Sequence, residues 1–230
     1  MSPCRTTVLA VCLFATAARA QAQDSYKIEP LKAAPPAGLA AAMKDALASE
    51  GVRILDAQGK PFAEIWLRKA IPASAKPSGP KGAILFPVLG EGEFLGAVRF
   101  AAEAHDYRDQ TIPAGPYTLR YGLQPVNGDH LGVSPNRDFA LLLPAAKDTD
   151  IAPLAKKPLE TRSAESAGSS HPAVLMLIAP PAGAPAIPSV VHDEAKNTWG
   201  AVLGLPLAIK GESNATALKV QLIFVGMATM

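Results

Sequence analysis

The chain has 230 residues, and its 22 lysine and arginine side chains nearly balance its 20 aspartate and glutamate side chains. No run of lysine or arginine is present, which argues against nucleic acid as a partner. The 18 glycines and 22 prolines exceed the usual share and cluster between apolar segments, a pattern typical of short strands joined by stiff loops.

The N-terminus has the features of a secretory signal peptide. Arg5 precedes the apolar run 8–17, and two A-x-A sites follow, which predicts cleavage after Ala20 or Ala22. The run is too short to span a bilayer. We therefore expect a secreted or periplasmic protein without a transmembrane anchor, in which residues 23–230 form a single domain.

Both cysteines, Cys4 and Cys12, lie within the predicted signal. The mature domain is therefore expected to contain no disulfide, no thiolate nucleophile and no zinc–cysteine site.

The segment APPAGLAAAMKDALASEG predicts a helix that begins at Pro35 and Pro36 and ends before Gly51. Three apolar residues would form one face of this helix: Leu39, Met43 and Leu47. Residues 52–69 then predict a hairpin with its turn at 56–59. Helix and hairpin could form an N-terminal subregion, 36–69.

The rest of the chain predicts strand after strand, with no alternation of strands and long helices. A Pro-, Ser- and Gly-rich connection at 70–82 could divide the fold. A short helix ending at Gly168 precedes the continuous apolar run AVLMLIA, which is typical of a strand covered on both faces. We predict a mainly β chain, folded as an antiparallel β-sandwich with one or two peripheral helices.

The segment TIPAGPYTLRYGLQP predicts a turn followed by a strand, because Pro113 fixes φ and Gly115 permits a backbone conformation that other residues rarely adopt. Together with DHLGVSPNRDFALLLP, it resembles uncharacterised secreted bacterial β-rich proteins that share an I-P-A-G-x-Y-T-L core. The resemblance covers 63–144. It implies a secreted domain of unknown function, and it implies no catalytic residue.

Polar side chains cluster around the connection between the two strands of this segment. If the strands pair, we expect these groups to converge near one edge of the sheet and to bind a carboxylate or phosphate. The candidate binding residues are Arg120, Gln124, Asp129, His130, Arg137 and Asp138. The alternative interpretation is an Arg–Asp network that holds a long loop in place.

Catalytic and metal motifs are weak. None of the four histidines shows a tight metal-ligand spacing such as H-E-x-x-H, and no G-x-S-x-G nucleophile elbow is present. The sequence therefore predicts no cofactor and no metal.

Three functions remain open at this point. The first is a binding or interaction module for a glycan, a peptide or a partner protein. The second is a metal-assisted hydrolase centred on the region 120–138, with His130 beside Asp129 as base or ligand. The third is a structural component of the cell envelope.

Overall fold

The fold is given by a computed structural model that describes residues 25–126 and 134–228. It is mainly β with two helices, as the sequence predicts. The first half contains β1 (Lys27–Leu31), α1 (Ala41–Ala46), β2 (Gly51–Leu55), β3 (Pro61–Leu67), β4 (Ile71–Ala73), β5 (Phe94–Phe100), β6 (Ala104–His105) and β7 (Thr111–Ile112). The second half contains β8 (Gly115–Leu123), β9 (Asp138–Pro144), α2 (Lys156–Ala164), β10 (Val174–Ile178), β11 (Ser189–Asp193), β12 (Thr198–Ile209) and β13 (Thr216–Val225).

One large sheet contains nearly all the strands of the described residues. Its order is β1-β2-β3-β5-β8-β9-β10-β13-β12-β11, and each neighbouring pair along this path is antiparallel. β4 follows β3 in the chain yet pairs in parallel with β12, far along the sheet order. The sheet therefore curls back towards itself as a half-barrel.

The curled sheet differs from the clear two-sheet sandwich that the sequence analysis expects. Twisted open sheets of about ten strands tend to curl or split, and here the sheet curls. Register shifts between Phe94 and Gly96 and between Trp199 and Gly200 mark irregularities of the kind that bend strands. A strand pattern alone does not distinguish these outcomes, because both bury alternate residues.

The main core fills the concave side of the sheet. It is built from alternate residues of β2 through β13, for example Ile54, Val98, Leu142, Leu203 and Leu222, all at most 3% exposed. Two smaller apolar clusters lie on the convex side. One packs α1 against Trp66 and Phe94, and the other packs α2 against β9 and β10.

The predicted hairpin is confirmed, and the predicted first helix is too long. The β2–β3 turn has Gly59 at φ +74, bonded to the Asp56 carbonyl. Helix α1 has only six residues, and Gly51 begins β2 instead of capping the helix. Leu47 leaves the helix in an extended conformation and bridges to Arg68. The predicted apolar face of this segment is nevertheless buried: Leu39, Met43 and Leu47.

Candidate functional site

Arg120 projects from the convex face of β8 into a fully buried ion pair. Its Nε lies 2.7 Å from Oδ2 of Asp148, and its Nη2 lies 2.9 Å from Oδ1 of the same carboxylate. Its Nη1 donates to the carbonyls of Gly92 and Ala152, each at 2.8 Å. Thr118 adds a hydrogen bond to Asp148 at 2.6 Å. These contacts use the guanidinium as an internal clamp that ties two loops to the sheet.

Asp138 is also committed to internal partners, on the concave side. Its carboxylate accepts hydrogen bonds from the backbone N–H groups of Leu85 and Phe86 and from the Tyr121 hydroxyl, the last at 2.6 Å. Burial, and then the hydrogen bond and the charge of Asp138, raise the pKa of Tyr121 well above its usual range. Asp138 therefore fixes the loop that precedes β5.

The expected convergence of the six candidate residues is found only in part. Arg120 and Asp138 lie on opposite faces of the sheet. Gln124 and Arg137 do meet, because the Gln124 N–H donates to the Arg137 carbonyl at 2.8 Å and the Arg137 Nε donates to the Gln124 carbonyl at 2.7 Å. Asp129 and His130 lie outside the described residues. Arg120 and Asp148 form a pair of the kind that the sequence analysis gave as the alternative. Asp138 instead holds its loop through two backbone N–H groups and the Tyr121 hydroxyl.

A groove lies between α2 and the convex face of β8, β9 and β10, and we call it the α2 groove. Its volume is about 610 Å³. Its floor is formed by Gly122, Phe139, Leu141 and Val174, and Leu159 of α2 forms one wall. Gln124 lines its end. The groove is thus an apolar slot with a polar border.

The groove exists because α2 makes shallow contact with the sheet. Only Leu159 and Ser163 of the helix are buried. Serine hydroxyls hold this part of the chain in place, since Ser163 Oγ donates to the Ala173 carbonyl at 3.0 Å and Ser166 Oγ donates to the Leu142 carbonyl at 2.9 Å. On the floor of the groove, Gly122 makes room for the Leu141 side chain, which a Cβ atom at residue 122 would overlap.

Two lysines pair with the three glutamates on the border of the groove, so their negative charge is offset only in part. Lys156 Nζ lies 3.7 Å from Glu91 and 3.9 Å from Glu160, and Lys147 Nζ lies 2.6 Å from Glu165. The opposite wall carries Arg108 and His171. Within the described residues, the Arg108 guanidinium has no acidic partner.

A rigid turn positions Arg108. The Asp106 carboxylate accepts hydrogen bonds from the N–H groups of Arg108 and Gln110, each at 2.8 Å, and from the N–H of Val174 at 2.9 Å. The Tyr107 N–H donates to the Val174 carbonyl at 2.8 Å. The turn is therefore fastened directly to β10, on the floor of the groove.

The segment carrying His171 is joined to the same turn. The Gln110 side chain donates to the Pro172 carbonyl at 2.9 Å and accepts a hydrogen bond from Ser169 Oγ. Ser169 Oγ in turn accepts the His171 N–H at 3.0 Å. The two segments that form this wall thus share one hydrogen-bonded network.

The other described histidines have local partners elsewhere. His105 Nδ1 lies 3.2 Å from the exposed Asp109 carboxylate, and His192 stacks on Trp199 with the ring centres 4.0 Å apart. In the described parts of the chain, no group of three or more His, Cys, Asp or Glu side chains is arranged to hold a metal ion.

Sequence reasoning missed the groove. The sequence pattern of the floor residues is that of ordinary strands. Arg108 lies in the turn DYRDQ, where the only signal in the sequence is an aspartate two residues before the arginine. The available signal was the weak amphipathicity of KKPLETRSA, which indicates a helix that does not seal against its sheet.

The chain matches no known family model, no curated protein and no solved structure. Among the described residues, no helix is long and apolar enough to cross a membrane.

Proposed function

We propose that the chain is a secreted or periplasmic binding protein whose α2 groove takes a small molecule with an apolar body. The observation that carries the proposal is a groove of about 610 Å³ with an apolar floor and a polar border. Small-molecule sites in proteins have volumes of roughly 300–1,000 Å³ and are mostly apolar, with a few polar groups that orient the ligand.

The hydrogen bonding of the floor argues for a small molecule over a peptide. An extended peptide gains affinity by adding a strand to a free sheet edge. Here β8 pairs with β5 and β9, and β9 pairs with β8 and β10, so the backbone groups of both strands are engaged within the sheet. Binding in this groove therefore rests on the burial of apolar surface.

The side chains of the floor argue against a glycan. Sugar rings are usually held by stacking on aromatic side chains, and Phe139 is the only aromatic residue among the described residues that line the groove. The large aromatic cluster of Tyr26, Phe62, Phe100, Trp199 and Phe224 lies against the main core instead. Leucine and valine favour an alkyl or alicyclic body.

The location outside the cytoplasm rests on the predicted signal peptide of residues 1–22. The hydrolase alternative depends on Asp129 and His130, outside the described residues, and stays a prediction. The structural-component alternative also stays a prediction, but a purely structural role gives no reason for an open apolar groove.

The proposal is tested by the binding of decanol to the purified protein, followed by isothermal titration and by thermal unfolding. A ligand that binds only the native state stabilises it by mass action, by about 2.7 kcal/mol at a hundredfold excess over Kd. We expect saturable binding and a rise in Tm.

A pair of helix variants locates the effect. Ala164→Trp fills the groove, because Ala164 lines it, whereas Lys157→Trp adds the same ring to an exposed position of α2 outside the groove. We expect A164W to abolish binding and K157W to keep it. Equal binding by both variants, or no saturable binding by the wild-type protein, would contradict the proposal.

A further inference from the structure

We propose that Arg108 binds a carboxylate at the polar end of the ligand, so that the α2 groove selects amphipathic monoanions. This inference rests on the proposed function and names the chemistry of its ligand. It joins three features: the apolar floor, the uncompensated guanidinium, and the rigid turn that holds it.

The charges around the groove are unevenly distributed, with glutamates on the border beside α2 and Arg108 on the opposite wall. The three glutamates of the border pair with two lysines, so the border keeps part of its negative charge. Arg108 lines the groove and is half-buried, and it has no ion-pair partner in the described chain. A guanidinium that is partly removed from water is stabilised by an anion. The wall that carries Arg108 is therefore electrostatically complementary to one negative charge.

The number of cations favours a carboxylate over a phosphate. An arginine side chain matches the two oxygens of a carboxylate with two parallel N–H···O bonds. A phosphate dianion carries a second negative charge, and this wall of the described groove has no further arginine or lysine to pair with it. A single guanidinium thus fits a monoanion best.

The turn formed by residues 106–110 is rigid. The Asp106 carboxylate fixes the backbone of residues 106–110, and its bond to the Val174 N–H ties the turn to the floor. Because the backbone at Arg108 is held before a ligand arrives, less conformational entropy is lost on binding. His171 and Ser170 lie on the same wall and add polar groups beside the guanidinium.

The orientation of the ligand follows from this arrangement. Its carboxylate would lie at the wall formed by residues 106–110 and 169–172, and its apolar body would extend along Phe139 and Leu141 beneath α2. The acidic border at Glu160 and Glu165 would disfavour the reversed orientation.

The test compares three probes that share one alkyl chain: decanoate, decanol and decylammonium, each below its micellar concentration. Wild-type protein is expected to prefer decanoate to decanol and decanol to decylammonium. Arg108→Gln is expected to weaken decanoate binding by about ten- to a hundredfold, because a hydrogen-bonded charge is lost, and to change decanol binding by less than about twofold.

Arg162→Gln is the matched control, since Arg162 lies on α2 next to a groove residue but does not line the groove. It removes the same charge nearby, and we expect it to retain the preference for decanoate. Arg108→Lys should recover only part of the affinity, because an ammonium cannot form the paired contact.

The outcomes separate this inference from the proposed function. If decanol and decanoate bind equally and Arg108→Gln affects neither, the groove binds apolar molecules but Arg108 does not select an anion. If Arg162→Gln weakens decanoate as much as Arg108→Gln does, the effect is one of general charge and the inference is wrong. If no probe binds the wild-type protein, both proposals are wrong.

Discussion

The Arg120 guanidinium and the Asp148 carboxylate are both fully buried, and each would be costly without the other. Arg120 also stacks over Phe94, with its Cζ 5.8 Å from the ring centre. Together with the carbonyls of Gly92, Ala152 and Asp150, the pair holds the loop before β5 and the loop after β9 in place. Because the pair is fully buried and bonded within the protein, it is expected to contribute to the stability of the fold.

Arg120→Met is therefore expected to lower the free energy of unfolding by about 3–5 kcal/mol, because Asp148 is left buried and unpaired. Urea unfolding measures the loss. Lys76→Met is the control, since it removes an exposed pair with Glu212 and should cost less than about 1 kcal/mol. A loss of similar size in both variants would show that the Arg120 pair is not buried in solution.

Tyr121 makes stability depend on alkaline pH. The pKa of Tyr121 in the folded state is raised by burial and by Asp138, whereas in the unfolded chain the phenol ionises near its usual pKa of about 10. Above that pH the unfolded state loses a proton that the folded state keeps, so stability falls as the pH rises. Burial raises the pKa of Tyr107 and Tyr117 too, with the same sign.

We expect Tyr121→Phe to be less stable than wild type at pH 8, because the hydrogen bond to Asp138 is lost. The difference in stability between the two proteins should narrow above about pH 10. The variant lacks one of the phenols whose ionisation in the unfolded chain lowers the stability of the wild-type protein. Urea midpoints measured from pH 8 to pH 10.5 test this. A constant difference across the range would exclude Tyr121 as a source of the pH dependence.

Among the elements, the loop before β5 shows how a turn can depend on one glycine. Gly92 has φ +83, and a Cβ atom there would overlap the backbone of Leu154. Its N–H donates to the Tyr121 carbonyl at 2.7 Å, and its carbonyl accepts from Arg120. The loop therefore meets the clamp through its backbone.

Gly92→Ala is expected to cost about 3 kcal/mol, from the left-handed conformation and from the steric overlap together. Gly59→Ala is its matched control, because Gly59 has φ +74 and open space around it. The free energy of unfolding of that variant should fall by about 1 kcal/mol, the cost of the left-handed backbone conformation alone. Chemical denaturation gives both values, and similar losses would mean that the close approach to Leu154 relaxes at little cost.

The strands were predictable from sequence because burial alternates along them. Phe139, Leu141 and Leu143 share one face of β9, as their spacing indicates, and AVLMLIA contains a strand covered on both sides. The first helix was predicted too long because Leu47 has helical spacing and yet pairs with the end of β3. Local spacing does not reveal such a tertiary contact.

The candidate site was harder to predict because polar residues close in sequence need not share a face. Arg120 pairs with Asp148, and Asp138 accepts hydrogen bonds from Leu85 and Phe86. In each case the partner is distant in the sequence. The groove depends instead on the lack of an apolar face on α2, of which only Leu159 and Ser163 are buried. A single sequence contains no direct signal for space that is left unfilled.

For the whole molecule, the main core joins strands from both halves of the described chain. β3 and β4 flank the start of the 70–82 connection, and they pair with β5 and β12 respectively. The subregion 36–69 thus shares both the sheet and the core with the rest. This arrangement predicts that it does not unfold by itself.

Two tryptophans report on the two regions. Trp66 lies under α1, on the convex side, whereas Trp199 packs beside the main core. In single-tryptophan variants, Trp66→Phe and Trp199→Phe, we expect coincident urea transitions by fluorescence and by far-UV circular dichroism. An earlier transition reported by Trp66 alone would contradict a single cooperative unit.

The most direct test of the central claim is the location of bound decanoate on the wild-type protein, measured by amide chemical-shift perturbation in solution. We predict the largest shifts at residues that line the α2 groove, around Gly122, Leu141, Thr161 and Val174, with Arg108 at the carboxylate end. Shifts centred on the shallower depression around Val52 and Pro206, or spread without a centre, would contradict it.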